Sequence, residues 1–286
     1  MEHKQTKTQI EMGRYQDMEV RRLTDFGAYL ALPESDTEIL LPGRYVTDEM
    51  TPGAMVHVFV YKDSEDRPVA TTEKPYATTG QFAFLQVAAV NDIGAFMDWG
   101  LPKDLLVPFS EQKVRMRRGG IYPVYVYVDH STGRIVASGR LERFLGNAYP
   151  DYKVGQAVDA LVIEHSPIGY KVIVDNLHRG IIYSNEIYHP IELEQTVRAY
   201  VKQVRPDGKI DLTLNDRSDR RTEALATRIL KYLSDNNTVS EKMSPEQIEL
   251  LFECSKKDFK KAIGRLYKER KVVIDSDNRV SIAGEE

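Results

Sequence analysis

Two closely similar stretches decide the fold: Asp25-Phe26-Gly27-Ala28-Tyr29-Leu30 and, 67 residues later, Asp92-Ile93-Gly94-Ala95-Phe96-Met97. Each is followed by a polar loop and then by an apolar pair that ends in proline, Leu40-Leu41-Pro42 in the first copy and Leu106-Val107-Pro108 in the second. Matching stretches at an offset that stays at 66 or 67 residues indicate an internal repeat. The sequence therefore predicts two copies of one small module.

Each copy is predicted to be a five-stranded barrel. Short apolar or alternating runs recur about every 8 to 12 residues between turn residues, which is typical of barrels and sandwiches. In the first copy the predicted strands are residues 18–23, 28–31, 39–41, 56–61 and 68–72. Five strands of this length fit the OB-fold, a Greek-key barrel. The glycine of each stretch is expected to allow a sharp bend where a Cβ would clash.

A third copy, with looser similarity, begins near Val154. Ile168-Gly169-Tyr170-Lys171 stands where the bend is expected, and Gly180-Ile181-Ile182-Tyr183 where the third strand is expected. The turn Pro206-Asp207-Gly208 joins two further predicted strands, residues 197–204 and 209–214. The sequence thus predicts three barrels in tandem.

From Asp216 onward the pattern changes from strands to helices. Ser244-Pro245-Glu246-Gln247 predicts a capped helix start, and Ser255 predicts another. Residues 272–274 and 280–282 predict a β-hairpin. Apolar residues at helical spacing predict three helices, through Leu225, Ile229, Leu230 and Leu233, through Ile248, Leu251 and Phe252, and through Phe259, Ile263, Leu266 and Tyr267. Three helices followed by a hairpin are the order of a winged helix.

The predicted fold class is therefore mainly β with a C-terminal α+β domain, in which three tandem five-stranded OB-fold barrels precede a winged helix. The predicted barrel domains are residues 1–75, 76–145 and 146–216, and the predicted winged-helix domain is residues 217–286.

Composition limits the possible partners and the compartment. The net charge of -4 means that any nucleic-acid surface must be a local patch. The single cysteine, Cys254, excludes a disulfide framework and favours a reducing compartment. The sequence has no apolar run long enough for a signal peptide or a membrane span. We expect a cytoplasmic protein without a membrane partner.

No motif indicates catalysis, a metal or a cofactor. The six histidines have no metal-ligand spacing, and Cys254 has no evident base near it in the sequence. A phosphate-binding glycine loop is also missing. We therefore predict a protein that is not an enzyme and that uses neither a cofactor nor a small-molecule substrate.

With these motifs in view, the chain resembles the conserved virulence factor B (CvfB-like) family over essentially its whole length. Residues 180–187 and 209–214 look like the third and fifth strands of an S1-type domain, and the stretches around Gly27 and Gly94 look like its second strand. The resemblance implies S1-type RNA-binding OB-folds followed by a winged helix. It also implies a post-transcriptional role in regulating gene expression.

The resemblance also implies which residues contact RNA. In S1-type domains, aromatic residues on both sides of the Gly-Ala pair and a histidine on the third strand are the usual stacking residues. The first copy keeps both aromatics, Phe26 and Tyr29, and has Pro42 at the histidine position. The second keeps Phe96 and has Pro108.

The third copy departs further from the S1 pattern. It has Ile168 before the glycine and Tyr183 at the histidine position, while either Tyr170 or Lys171 matches the second aromatic. No copy therefore has the complete set of stacking residues.

The candidate RNA-binding residues combine aromatic rings with neighbouring cations, because base stacking and phosphate contacts act together. In the barrels they are Phe26, Tyr29, Tyr61, Lys62, Phe96, Tyr170, Lys171, Tyr183, Lys202 and Arg205. On the third helix of the winged helix, which is the groove-binding element in such domains, they are Lys257, Lys260, Lys261, Arg265 and Lys268. Core packing is the alternative role for each aromatic, and a solvated helix face is the alternative for these cations.

The sequence therefore predicts a non-catalytic protein that binds single-stranded RNA through several weak sites. Two other functions remain open. The winged helix alone would suit a transcriptional regulator that binds duplex DNA, and the acidic balance would suit a protein-interaction scaffold associated with the ribosome.

Overall fold

A glycine near the start of the second strand marks the bend of every barrel. A Cβ built on Gly27, Gly94 or Gly169 would lie 2.1, 2.4 or 2.1 Å, respectively, from a carbonyl oxygen of the facing third strand. The two strands approach so closely there that no side chain fits between them. The predicted role of these glycines is confirmed.

The computed structural model describes residues 9–146, 148–187, 190–214, 219–236, 238–240 and 242–283. The strands of the first barrel are β1 (Tyr15–Thr24), β2 (Gly27–Ala31), β3 (Glu38–Pro42), β4 (Met55–Lys62) and β5 (Pro68–Thr71). Those of the second are β6 (Phe82–Val90), β7 (Gly94–Asp98), β8 (Leu105–Pro108), β9 (Ile121–Val128) and β10 (Ile135–Ser138). Those of the third are β11 (Ala157–Ser166), β12 (Gly169–Val174), β13 (His178–Tyr183), β14 (Thr196–Val204) and β15 (Ile210–Thr213).

All three barrels have the same topology. Each closes in the order first, second, third, fifth and fourth strand, and the fourth strand pairs back to the first. The third and fifth strands are parallel. The first strand carries a register shift in every copy, opposite the residues two and three positions after the bend glycine, and such bulges add the twist that a small barrel needs. The predicted OB-fold architecture is confirmed.

Residues of the first barrel also join the buried core of the second. The chain divides into two compact units, Met1–Leu145 and Gly146–Glu286, and the first unit contains both of these barrels. Phe59 on β4 packs edge-on against Trp99, which follows β7, at 5.8 Å between ring centroids. Tyr61 belongs to the same cluster and is 6% exposed. This corrects the expectation that Tyr61 is an exposed stacking platform, because residues of the second barrel cover its outward-facing ring.

The C-terminal domain is a winged helix, as predicted. Its elements are α1 (Asp219–Asn236), β16 (Val239–Ser240), α2 (Pro245–Phe252), α3 (Lys256–Lys268), β17 (Val272–Ile274) and β18 (Arg279–Ile282). Its three-stranded sheet has the order β16-β18-β17. The Ser244 side chain accepts from the backbone N–H of Gln247, and the Gln247 side chain accepts from that of Ser244, which forms the predicted capping box.

One helix prediction was wrong in detail. Phe259, Ile263 and Leu266 are buried in the core of the winged helix, whereas Tyr267 is 55% exposed and lies off the packed stripe. The domain limits expected from the sequence stay predictions, and the limit between residues 216 and 217 lies outside the described residues. No helix in the described part of the chain is long and apolar enough to cross a membrane.

Candidate nucleic-acid interface

The bend of the first barrel presents two aromatic rings and a cation. The ring of Phe26 is 75% exposed. Its backbone is held by a hydrogen bond from its N–H to Thr24 Oγ1 (3.3 Å) and by one from the N–H of Gly43 to its carbonyl oxygen (2.9 Å). The rigid turn therefore keeps an apolar ring in solvent, where burial against a ligand would be favourable.

Tyr29 lies two residues after the bend and pairs with Arg22 across β1 and β2. The guanidinium carbon of Arg22 lies 3.7 Å from the centroid of the Tyr29 ring, within cation-π range. Arg22 also donates to Glu38 from Nε (3.0 Å) and Nη2 (2.8 Å). These hydrogen bonds raise the pKa of Arg22, so its positive charge is fixed beside the aromatic pair.

In the second barrel, Phe96 occupies the position of Tyr29. It pairs with Ala89 on β6 and with Leu106 on β8. The residue opposite it on β6 is the small Ala89, and among the described residues no cation covers the Phe96 ring as Arg22 covers Tyr29. Phe96 is half-buried and lines a cavity between the first two barrels, together with Tyr61 and Lys62. The structure therefore brings three of the predicted residues of this unit to one place.

The strand register of the third barrel identifies the residue that replaces the second aromatic. Gly169 pairs with Tyr183 as Gly27 pairs with Pro42, so Lys171 occupies the position of Tyr29. Lys171 Nζ lies 2.6 Å from Glu164 Oε1, and an ion pair thus stands where the other barrels carry an aromatic ring. Tyr170 faces the barrel core and packs edge-on against His165. Its ring is a packing group in this structure.

Tyr183 and Arg205 meet at a carboxylate that the sequence analysis missed. Asp211 on β15 is 3% exposed and accepts hydrogen bonds from Arg205 Nε (2.7 Å) and Gln203 Nε2 (2.5 Å). Arg205 also donates to the hydroxyl of Tyr183. The hydrogen bond to Asp211 raises the pKa of Arg205. An aspartate between the apolar residues Ile210 and Leu212 was the available signal for this network, and Lys202 lies on β14 next to Gln203 in the sequence.

The third helix of the winged helix has two distinct faces. Its apolar side, with Phe259 and Ile263, is buried, and Ser255 caps its first turn. Arg265 pairs with Glu269, with 2.8 Å between Nε and Oε1. The remaining predicted cations are all exposed, and we call them the lysine face: Lys257, Lys260, Lys261 and Lys268.

These surfaces are suited to binding a ligand through direct contacts. Aromatic rings can stack on bases, and lysine and arginine side chains can approach phosphates. Among the described residues, no three His, Cys, Asp or Glu side chains lie together as metal ligands would.

Family models match both kinds of domain. The S1 domain matches residues 12–73, which are the first barrel, and the CvfB-like winged helix domain matches residues 227–280. S1-type OB-folds and winged helices are nucleic-acid-binding folds. The domain composition therefore supports binding of nucleic acid.

Relatives extend the match over most of the chain. The chain is 28% identical over 271 residues to the uncharacterized protein YitL of Bacillus subtilis, covering 91% of this chain and 90% of that protein. It is 24% identical over 240 residues to conserved virulence factor B of Staphylococcus aureus strain USA300, covering 80% of each. A solved structure from Streptococcus pneumoniae, a multidomain protein with nucleic acid binding domains, is 26% identical, covers 95% of this chain and 98% of that one, and has a TM-score of 0.41. The chain is similar to the conserved virulence factor B proteins, and family models for an S1 domain and a CvfB-like winged helix domain match its first barrel and its C-terminal part.

Proposed function

We propose that the protein binds single-stranded RNA without catalysing a reaction on it. The observation that carries the proposal is the exposed ring of Phe26 beside the cation-covered ring of Tyr29, on a turn fixed by backbone hydrogen bonds. An unpaired base can stack on such a ring, and the neighbouring Arg22 can approach the adjoining phosphate. Bases inside a duplex are stacked on one another and cannot reach a flat ring in this way.

In this proposal, several weak sites together give the overall affinity for RNA. The first two barrels contribute Phe26 and Phe96, and the lysine face of α3 contributes exposed positive charge. Linked modules raise the overall affinity because the second contact becomes intramolecular. Local cations suffice for this purpose, although the net charge of the chain is -4.

The proposed regulatory role rests on the similarity of the chain to the conserved virulence factor B proteins. The relation to the conserved virulence factor B proteins supports a role in regulating gene expression after transcription, as the sequence resemblance implied. RNA binding is the step through which the chain would act.

The proposal is tested by titrating a labelled, unstructured RNA with the full chain and with Phe26→Ala. Loss of one stacked base costs about 1–3 kcal/mol, so we expect the dissociation constant to rise about tenfold. Thermal stability should stay nearly unchanged, because the ring is 75% exposed.

Tyr76→Ala is the matched control, since Tyr76 is another exposed aromatic, in the linker between the first two barrels, with 68% of its surface accessible. Its affinity for RNA should equal that of the unaltered chain. Equal affinities for the unaltered chain and Phe26→Ala would contradict the proposal.

A further inference from the structure

A cavity of about 230 Å³ lies between the first and second barrels. Both barrels belong to the same compact unit, and Phe59, Tyr61 and Val69 of the first barrel pack into the buried core of the second, so packed elements hold the walls of the cavity in place. One wall is apolar and includes Phe96, Ile93 and Leu106. The charged residues of the lining are Lys62, Asp66, Lys103, Asp104 and Arg134.

Ion pairs between the two barrels order the polar side of the cavity. Asp66 of the first barrel pairs with Lys103 (3.2 Å) and with Arg134, both of the second barrel. These hydrogen bonds lower the pKa of Asp66, so it remains ionised. Trp99 Nε1 donates to the carbonyl oxygen of Lys103 (2.6 Å) and fixes the segment that leads to Asp104. A ligand would therefore meet a preformed site and would lose little affinity to ordering it.

Asp104 is the lining acid whose charge the protein leaves uncompensated. Among the described residues it has no ion pair, in contrast to Asp66. It is half-buried, and burial raises its pKa, with the charge of Asp98 adding to the effect. A desolvated carboxylate is an acceptor-only group with two oxygens. Donors from a ligand could pair with both of these oxygens.

Phe96 supplies a stacking surface beside this acceptor. In the first barrel, Arg22 covers Tyr29 at the equivalent position. In the third barrel, the equivalent position is occupied by Lys171, which forms an ion pair with Glu164. Within the described part of the chain, no side chain stacks on Phe96. An aromatic ring and an uncompensated carboxylate thus line one cavity.

We propose that this cavity binds one guanine base of single-stranded RNA, stacked on Phe96 with its Watson–Crick edge against Asp104. The inference rests on the proposed function and names the base that one of its sites selects. The volume is below the roughly 300–1,000 Å³ typical of drug-sized ligands, which suits a single base.

Guanine is selected by the pattern of its donors. Its N1–H and N2–H groups are adjacent and can donate together to the two oxygens of one carboxylate. Uracil would place a carbonyl oxygen on either side of its single N–H, and adenine and cytosine each pair one donor group with an acceptor nitrogen. Lys62 lines the cavity and donates from Nζ to the carbonyl oxygen of Thr132 at the long distance of 3.4 Å, so it is placed to approach a guanine oxygen or a phosphate.

The test uses the full chain and four labelled RNA oligonucleotides, identical runs of uridine with U, G, A or C at the central position. We expect the G oligonucleotide to bind about tenfold more tightly than the other three, since one bidentate contact discriminates by about 1–3 kcal/mol. Trp99 is the single tryptophan of the chain and lines the cavity, so its fluorescence should change most with the G oligonucleotide.

Two variants assign the preference to the cavity. Asp104→Asn cannot accept both donors and should bring the ratio of G to U affinity close to one. Asp92→Asn, which alters an exposed acid of the same barrel outside the cavity, should keep the ratio of the unaltered chain.

Equal binding of the four oligonucleotides, or a preference that survives in Asp104→Asn, would overturn this inference and leave the proposed function standing. Failure of all four oligonucleotides to bind would overturn both.

Discussion

At the scale of single residues, Gly27 fixes the geometry of the first barrel. A Cβ at this position would lie 2.1 Å from the carbonyl oxygen of Leu41 and 2.7 Å from the backbone nitrogen of Gly43. Backbone atoms of a paired strand cannot rotate away as a side chain can. The φ angle of +142° is also one that residues with a side chain rarely adopt. The same turn places Phe26 in solvent, so fold and function depend on one glycine.

We expect Gly27→Ala to lower the free energy of unfolding by about 3 kcal/mol, because the steric clash and the backbone strain act together. Urea unfolding of the full chain, followed by circular dichroism, measures the change. Gly264→Ala in α3 is the matched control: no atom lies within 4 Å of its Cβ, and alanine favours a helix by about 0.5–1 kcal/mol. An unaltered stability for Gly27→Ala would show that the bend tolerates a side chain.

The role of the repeated glycine was predictable because its neighbours recur at the same offset. The burial of Tyr61 was not predictable. Alternation along β4 shows which residues point out of a barrel, but not whether another module covers that face. Tyr170 and Lys171 were ambiguous for a related reason. A shift of one residue in strand register exchanges the two sides of a strand, and only the pairing of Gly169 with Tyr183 decides between them.

At the scale of elements, α3 combines a buried stripe with the lysine face. The stripe and the Ser255 cap were evident from sequence spacing, and the structure confirms both. The exposure of Tyr267 was missed, because helical spacing alone does not show where the neighbouring elements stop covering the last turn. The lysine face remains the predicted phosphate-binding surface of the winged helix.

Replacing Lys260 and Lys261 together by alanine should make the binding of single-stranded RNA less sensitive to salt. Each phosphate contact contributes about 0.7 to the slope of log K against log salt concentration, so the slope should become shallower by about 1.4. Anisotropy titrations across a salt series measure it.

The matched control replaces two exposed lysines elsewhere on the same domain, Lys231 and Lys242. Both double variants should keep the melting temperature of the unaltered chain. An identical loss of slope in the two would mean that the lysine face has no special role.

At the scale of the whole molecule, the sequence did not predict the features that form where two modules pack together or where residues from distant strands meet. The cavity beside Phe96 exists because two barrels pack together, which no single repeat encodes. The network around Asp211 joins residues from three strands of one barrel. The order of the domains, in contrast, followed from repeats, caps and spacing.

The central claim is that this chain, despite its net negative charge, binds single-stranded RNA. Its most direct test is the affinity of the full chain for a labelled unstructured RNA, for single-stranded DNA of the same length and for duplex DNA, each across a salt series. We predict the tightest binding to RNA, whose 2′-hydroxyls distinguish it from DNA, with an affinity that falls as salt rises. Tightest binding to duplex DNA would make the winged helix the principal site, and binding to none of the three would contradict the account.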